Sequence, residues 1–152
     1  MKPDESVWWL NYICFLARKW DTFVEYTGAE ITTSDDGLWQ PVTDDRIKAV
    51  MPLAPGVSWF YGERGLASAD RPAFMICGTE DKLIDYQTEC VYTYEHLGTT
   101  ERFLVSFIGK KHMMVENSEQ AARKNHFATA FFGYYLQDRE EYATYFSEEF
   151  VK

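Results

Sequence analysis

Apolar positions gather into a few short runs separated by longer amphipathic stretches. The first run, "VWWLNYICFLA" at residues 7–17, covers 11 positions including Asn11, well short of the roughly 20 a bilayer needs. It follows the acidic "PDES" instead of a basic leader with a small-residue cleavage site, so it reads as a buried helix rather than a membrane or secretory segment. The run "IKAVMPLAP" at residues 47–55 is almost continuously apolar and ends in proline, which predicts a strand covered on both faces, as in the middle of a parallel sheet. "AFMIC" at 73–77 starts behind Pro72, and "RFLVSFI" at 102–108 stops at Gly109; both predict strands.

The stretches between these runs have helical spacing. "QTECVYTYEHLG" carries Val91, Tyr94 and Leu97 on one face and ends in Gly98, which suits a helix C-terminus. "SEQAARKNHFATAFFGYYLQ" starts at Ser118 as a candidate cap and repeats Ala121, Phe127, Phe131, Phe132, Tyr135 and Leu136, predicting an amphipathic helix despite Gly133. Tyr142, Tyr145, Phe146 and Phe150 place a further helical face on the tail. Strands alternating with helices predict an α/β fold, a mostly parallel sheet with flanking helices. With no repeat, low-complexity tract or linker, the chain reads as one domain. An N-terminal helical segment occupies 1–36, the strand and helix core 37–137, and a helical tail 138–152.

Composition narrows the functional classes. At 152 residues the chain can bury roughly two thirds of its unfolded surface, and 46% hydrophobic content with 11 Phe, 10 Tyr and 5 Trp provides a core. A net charge of −9 with no basic stripe repels phosphate backbones and anionic lipid, so neither nucleic acid nor membrane is an expected partner. Cys14, Cys77 and Cys90 form no C-x-x-C pair and lie among apolar neighbours. They are expected as reduced, buried thiols of a cytoplasmic protein. No phosphate loop, metal cluster or cofactor signature occurs in the sequence, so no metal or cofactor is expected.

In an open parallel sheet, ligands and catalytic groups collect on loops beyond the carboxyl ends of the strands. The three such loops are "GVSWFYGERG", "GTEDKLID" and "GKKHMMV". Asp81 lies four residues beyond Cys77 and His112 four beyond Ile108, each behind a glycine, and the 31 residues between them accommodate one crossover helix and one strand. An aspartate after a strand is commonly a turn former and a lone histidine commonly structural. Together, at neighbouring strand ends, they match an acid that orients an imidazole by one ring nitrogen while the other takes and returns a proton.

The order acid then histidine, after the last two strands, is that of the α/β-hydrolase fold. The blocks "GLWQPVTDDRIKAVMPLAP", "RPAFMICGTEDKLI", "GKKHMM" and "NHFATAFFGYYL" resemble the C-terminal half of dienelactone hydrolases, which belong with the esterases related to platelet-activating-factor acetylhydrolase. The resemblance covers residues 37–137. It implies the C-terminal half of an α/β-hydrolase fold acting on carboxylic esters of dienelactone or acetyl type, with Asp81 as the triad acid and His112 as the base. Many relatives carry a proline near the position of Asp85, where this loop is more acidic.

The nucleophile elbow G-x-S-x-G is absent from this sequence. Its closest string is "GVSWF", which lacks the second glycine and follows the wrong strand; Ser58, Trp59 and Phe60 are expected to line a substrate mouth instead. Cys14 and Cys77 lack the small flanking residues that would expose a nucleophilic thiol. By the resemblance, the nucleophile and its oxyanion donors precede residue 1, and this polypeptide alone is nearly inert. The alternative is an inactive fragment or pseudoenzyme serving as a binding or assembly module. Without a nucleophile strand beside it, the 47–55 strand becomes an apolar edge, expected to pair as a homodimer or with a separate N-terminal chain.

Overall fold

A computed structural model describes residues 44–56, 58–114 and 118–151, all within the compact unit Thr43–Lys152. The helix expected at 7–17, the 1–36 segment, Cys14 and the start of the 37–137 core lie outside the described residues.

Among the described residues two parallel strands form the sheet: β1 (Ala73–Gly78) and β2 (Arg102–Phe107), in register from Ala73 opposite Arg102 to Gly78 opposite Phe107. Residues 47–55 lie along the other edge of β1 through two parallel bridges, Val50 to Ala73 and Leu53 to Ile76. β1 is therefore central, and every one of its residues is buried.

The 47–55 segment departs from the continuous, doubly covered strand that its apolar run predicts. Val50 N donates to Pro72 O just ahead of β1 and Ala54 N to Ile76 O within it, and Pro52 O accepts from Ile76 N. Residue 52 thus turns its nitrogen toward β1, where an N–H would have met the Phe74 carbonyl; proline has none to give. Ala54, at φ 44°, then bends the chain away. Ile47, Val50 and Leu53 are 49%, 39% and 40% exposed, so among the described residues the segment is the margin of the sheet rather than its middle.

Alternation along β1 sends its side chains to two layers. On one face Phe74 packs against Phe127, Phe131 and Phe146, with ring centroids 5.4, 5.5 and 6.4 Å away. Phe127 and Phe131 belong to the long helix Ser118–Gln137 and Phe146 to the 3-10 turn Glu140–Phe146. On the other face, Cys77 is joined by a disulfide to Cys90, 13 residues on, in a π-helical turn Tyr86–Val91. These cysteines were expected as separate thiols. Their bridge removes the ground on which a reducing compartment was expected.

The crossover from β1 to β2 consists of that π-helical turn, continued by helix α2 (Tyr92–His96); helix α1 (Ser58–Ala67) precedes β1. The predicted helix at 87–98 is thus present, with a π-helical first turn. Gly98 N donates to Leu66 O, and a Cβ at residue 98 would meet the Ala67 carbonyl at 2.0 Å, so glycine lets the crossover lie directly against the end of α1. The long helix α3 (Ser118–Gln137) has the bounds its spacing predicts. Gly133 has a packing reason there: a Cβ would lie 2.3 Å from the Tyr142 ring, which occupies that space. The tail does not continue as one helix. Asp138 at φ 53° reverses the chain, and extended Ser147 separates the 3-10 turn from the short helix α4 (Glu148–Val151). Among the described residues no helix is long and apolar enough to cross a membrane.

Candidate functional site

β1 and β2 are parallel and in register, so the chain leaves both at one end of the sheet, and the two exit loops are joined there by hydrogen bonds. Thr79 N donates to Phe107 O at 3.2 Å, Glu80 N to Lys110 O at 2.9 Å, and Gly109 N to Thr79 Oγ1 at 2.9 Å. Two glycines allow this. Gly109 takes φ 68°, a left-handed turn disfavoured for other residues. Gly78 sits so close to the second loop that a Cβ would lie 2.3 Å from Lys110 O and 2.8 Å from Lys111 O.

The joined loops bring Asp81 and His112 together. Asp81 Oδ1 accepts from Leu83 N at 2.8 Å and Ile84 N at 2.9 Å, a turn that fixes the carboxylate plane. The other oxygen, Oδ2, lies 2.8 Å from His112 Nδ1. The aspartate side chain is 2% exposed and the imidazole 35%, so the acid is enclosed and the base reaches the surface. An ionised carboxylate only accepts hydrogen bonds, so Nδ1 is the donor. In the neutral imidazole that leaves Nε2 with the lone pair. Among the described residues Nε2 has no hydrogen-bond partner. The pair can accept a proton at Nε2, hold the imidazolium against a buried carboxylate, and return the proton.

Ser58 is placed elsewhere in the architecture's logic. It begins α1 and is 2% exposed; its Oγ donates to Glu89 Oε2 at 2.6 Å, and its backbone N–H reaches the same oxygen at 2.7 Å. A buried hydroxyl committed to a carboxylate ties α1 to the π-helical turn and does not open onto a substrate mouth. The side chains of Trp59 and Phe60 lie outside the described residues. Glu89 is the residue that the sequence reading missed. It lies within "QTECVYTYEHLG", but its partner is 31 residues away, and no local pattern marks the pairing.

The acidic Asp85 also acquires a specific role. Its Oδ1 accepts from Gln87 N, Thr88 N and Thr88 Oγ1 at 3.0, 2.8 and 2.9 Å, capping the π-helical turn. The Thr88 backbone and hydroxyl hydrogen bonds hold its carboxyl below the usual aspartate range. Asp85→Ala should therefore cost about 1 kcal/mol near neutrality, as loss of a cap does. Because the folded-state value is depressed, this contribution is complete above the unfolded value of about 3.9 and fades as pH falls through the folded value. Urea unfolding at pH 7 and pH 3 should show the wild-type advantage at the first and a smaller one at the second; equal stabilities at pH 7 would deny the cap any effect.

Among the described residues no group of three or more His, Cys, Asp or Glu side chains is arranged to hold a metal ion. No protein-family model matches the chain, and no curated protein matches it.

Proposed function

We propose that Asp81 and His112 are the acid and base of a carboxylic-ester hydrolase centre of α/β-hydrolase type, whose nucleophile and oxyanion donors are carried by a segment outside this sequence. The observation that carries the reading is the 2.8 Å contact between His112 Nδ1 and Asp81 Oδ2 at the ends of adjacent parallel strands. In such a centre His112 Nε2 takes the proton of the attacking group as that group bonds to the ester carbonyl carbon, and Asp81 stabilises the imidazolium that results. The imidazolium then protonates the departing alkoxide, and the same nitrogen deprotonates the water that releases the acid product. Dienelactone or acetyl-type esters are the substrate class implied by the resemblance of the sequence blocks.

The test is to join the chain to the coding sequence that precedes it in frame and to measure turnover of p-nitrophenyl acetate with and without His112→Ala. Turnover that needs both the added segment and His112 is the expected result. Turnover by the chain alone, indifferent to His112→Ala, would end the reading.

A second reading, an assembly module, is favoured by the margin at 47–55. Val50 N and Ala54 N point to β1, so the N–H groups of Ala49, Met51 and Leu53 point outward, and among the described residues no hydrogen bond reaches them. With Ile47, Val50 and Leu53 exposed, this is an apolar edge competent to pair with another strand, from a second copy or a separate N-terminal chain. Sedimentation at micromolar concentration should show a dimer that Leu53→Lys weakens; a clean monomer would remove the edge from the account.

A further inference from the structure

The disulfide spans the catalytic-acid loop. Cys77 lies in the last turn of the pleat of β1 and Cys90 in the π-helical turn, and the 12 residues between them include Asp81, Ile84, Asp85 and Glu89. Both cysteines are buried, at 0% and 1% exposure. We infer that Cys77 and Cys90 are positioning residues for the Asp81–His112 pair, and that reducing their bridge uncouples the acid from the base. The inference rests on the reading of Asp81 and His112 as an acid–base couple.

The two ends of the bridge differ in freedom. Cys77 belongs to the central strand, whose backbone is hydrogen-bonded on both edges, so it stays with the sheet. Cys90 belongs to a turn that, among the described residues, has no backbone-to-backbone bond to the sheet; its other attachments are Glu89 and Thr88 O to Ser58, and the Tyr86 hydroxyl to Ser106 Oγ of β2 at 2.6 Å. Two thiols need roughly 3.5–4 Å between nonbonded centres, more than a bonded pair occupies, and a close-packed interior has no spare room for it. The displacement therefore falls on the turn and on the loop leading into it. Asp81 is held in that loop by the Leu83 and Ile84 amides, and Ile84 packs against Gly56, where a Cβ would meet its Cδ1 at 2.5 Å. His112 is held differently: Lys110 O of its loop accepts from Glu80 N, just ahead of Asp81, and Gly78 at the end of β1 lies directly against Lys110 and Lys111, so the base and the backbone up to residue 80 follow the sheet. A shift of the turn therefore reaches Asp81 from its far side, through the Leu83 and Ile84 amides, and turns its carboxylate away from a base that stays in place.

The redox step is thiol–disulfide exchange with a dithiol reductant. One of its thiolates attacks a bridge sulfur and breaks the S–S bond, giving a mixed disulfide; its second thiolate then closes the reductant's own disulfide. Two electrons pass to the protein, and Cys77 and Cys90 leave protonated as thiols.

The experiment follows the hydrogen-bonded Nδ1 proton of His112 by NMR, assigned by its disappearance in His112→Ala. Spectra are taken before and after dithiothreitol treatment, with thiol counting to establish the redox state and far-UV circular dichroism to follow the fold. The expected result is a low-field resonance in the oxidised protein that is lost on reduction while the circular dichroism persists, and that returns on reoxidation; the double variant Cys77→Ser, Cys90→Ser should match the reduced protein. A resonance unchanged by reduction would overturn the inference, as would global unfolding on reduction, which would make the bridge a general staple, or native protein with both thiols free. A resonance absent from both redox states would overturn the acid–base reading itself.

Discussion

On the proposed ester-hydrolase reading, Asp81→Asn should leave the fold standing and lower the ester turnover of the chain joined to its proposed nucleophile segment by about 10^4-fold, the scale on which a misoriented imidazole costs an acyl-transfer enzyme. The geometry forces this outcome. Asp81 Oδ1 accepts from two backbone amides, Leu83 N and Ile84 N, and the substituted side chain can satisfy both only by keeping its amide oxygen at that position. Its NH2 group must then face His112 Nδ1, which has to present a lone pair. The ring proton moves to Nε2, and the nitrogen that should act as base has no pair left to use. Shape and hydrogen-bond count are conserved while the chemistry is inverted. Steady-state kinetics on p-nitrophenyl acetate, set beside thermal melts of the same preparations, measure the two effects separately. A fall of less than tenfold would mean that Asp81 does not set the tautomer; loss of the folded state would mean that its buried carboxylate is a structural anchor first.

The second large effect is expected from Gly78→Ala. The added Cβ would stand 2.3 Å from Lys110 O, 2.8 Å from Lys110 C and 2.8 Å from Lys111 O. These are backbone atoms, so relief cannot come from a rotating side chain, and the loop that carries His112 must retreat. The Glu80 N to Lys110 O bond stretches with it. Overpacking of this kind costs about 1–3 kcal/mol. The displacement of His112 adds a functional loss of about 10²-fold, the usual penalty for misplacing a catalytic group by an ångström. Urea midpoints and turnover should fall together in this variant, whereas Asp81→Asn should lower turnover alone. A Gly78→Ala protein with wild-type stability and turnover would show that the loops are not held by this close approach.

Much of the architecture could be read from the sequence, because its determinants are local. Pro72 and Gly78 bound one buried apolar run, and Gly109 ends another, so β1 and β2 fall within a residue of their expected limits. The spacing of Phe127 and Phe131 defined the face that α3 turns to Phe74. The parts that escaped depend on orientation or on distant partners. An apolar run with a proline reads as a strand, but whether that proline breaks the ladder depends on which edge its nitrogen faces, and at Pro52 it faces β1. The tail kept its helical spacing yet divided at Ser147, after Asp138 had turned it back. Gly133, a defect in an isolated helix, makes room for Tyr142 once the tail has folded back.

The candidate site divides in the same way. Asp81 and His112 stood out because each follows a strand end and a glycine, and parallel pairing brings such positions together. Neither the Ser58–Glu89 contact nor the Cys77–Cys90 bridge has a comparable signature. Both are made by docking the π-helical turn on the sheet, and cysteine spacing alone does not announce that packing.

The central claim is that Asp81 holds His112 with its proton on Nδ1 and its lone pair on Nε2. Two-bond 15N–1H correlation spectra of the ring, recorded at alkaline pH on the protein and on Asp81→Asn, test it without any substrate. The account predicts the Nδ1–H tautomer in the wild type and a switch to Nε2–H in the variant. An Nε2–H tautomer in the wild-type protein, or no change between the two, would contradict it.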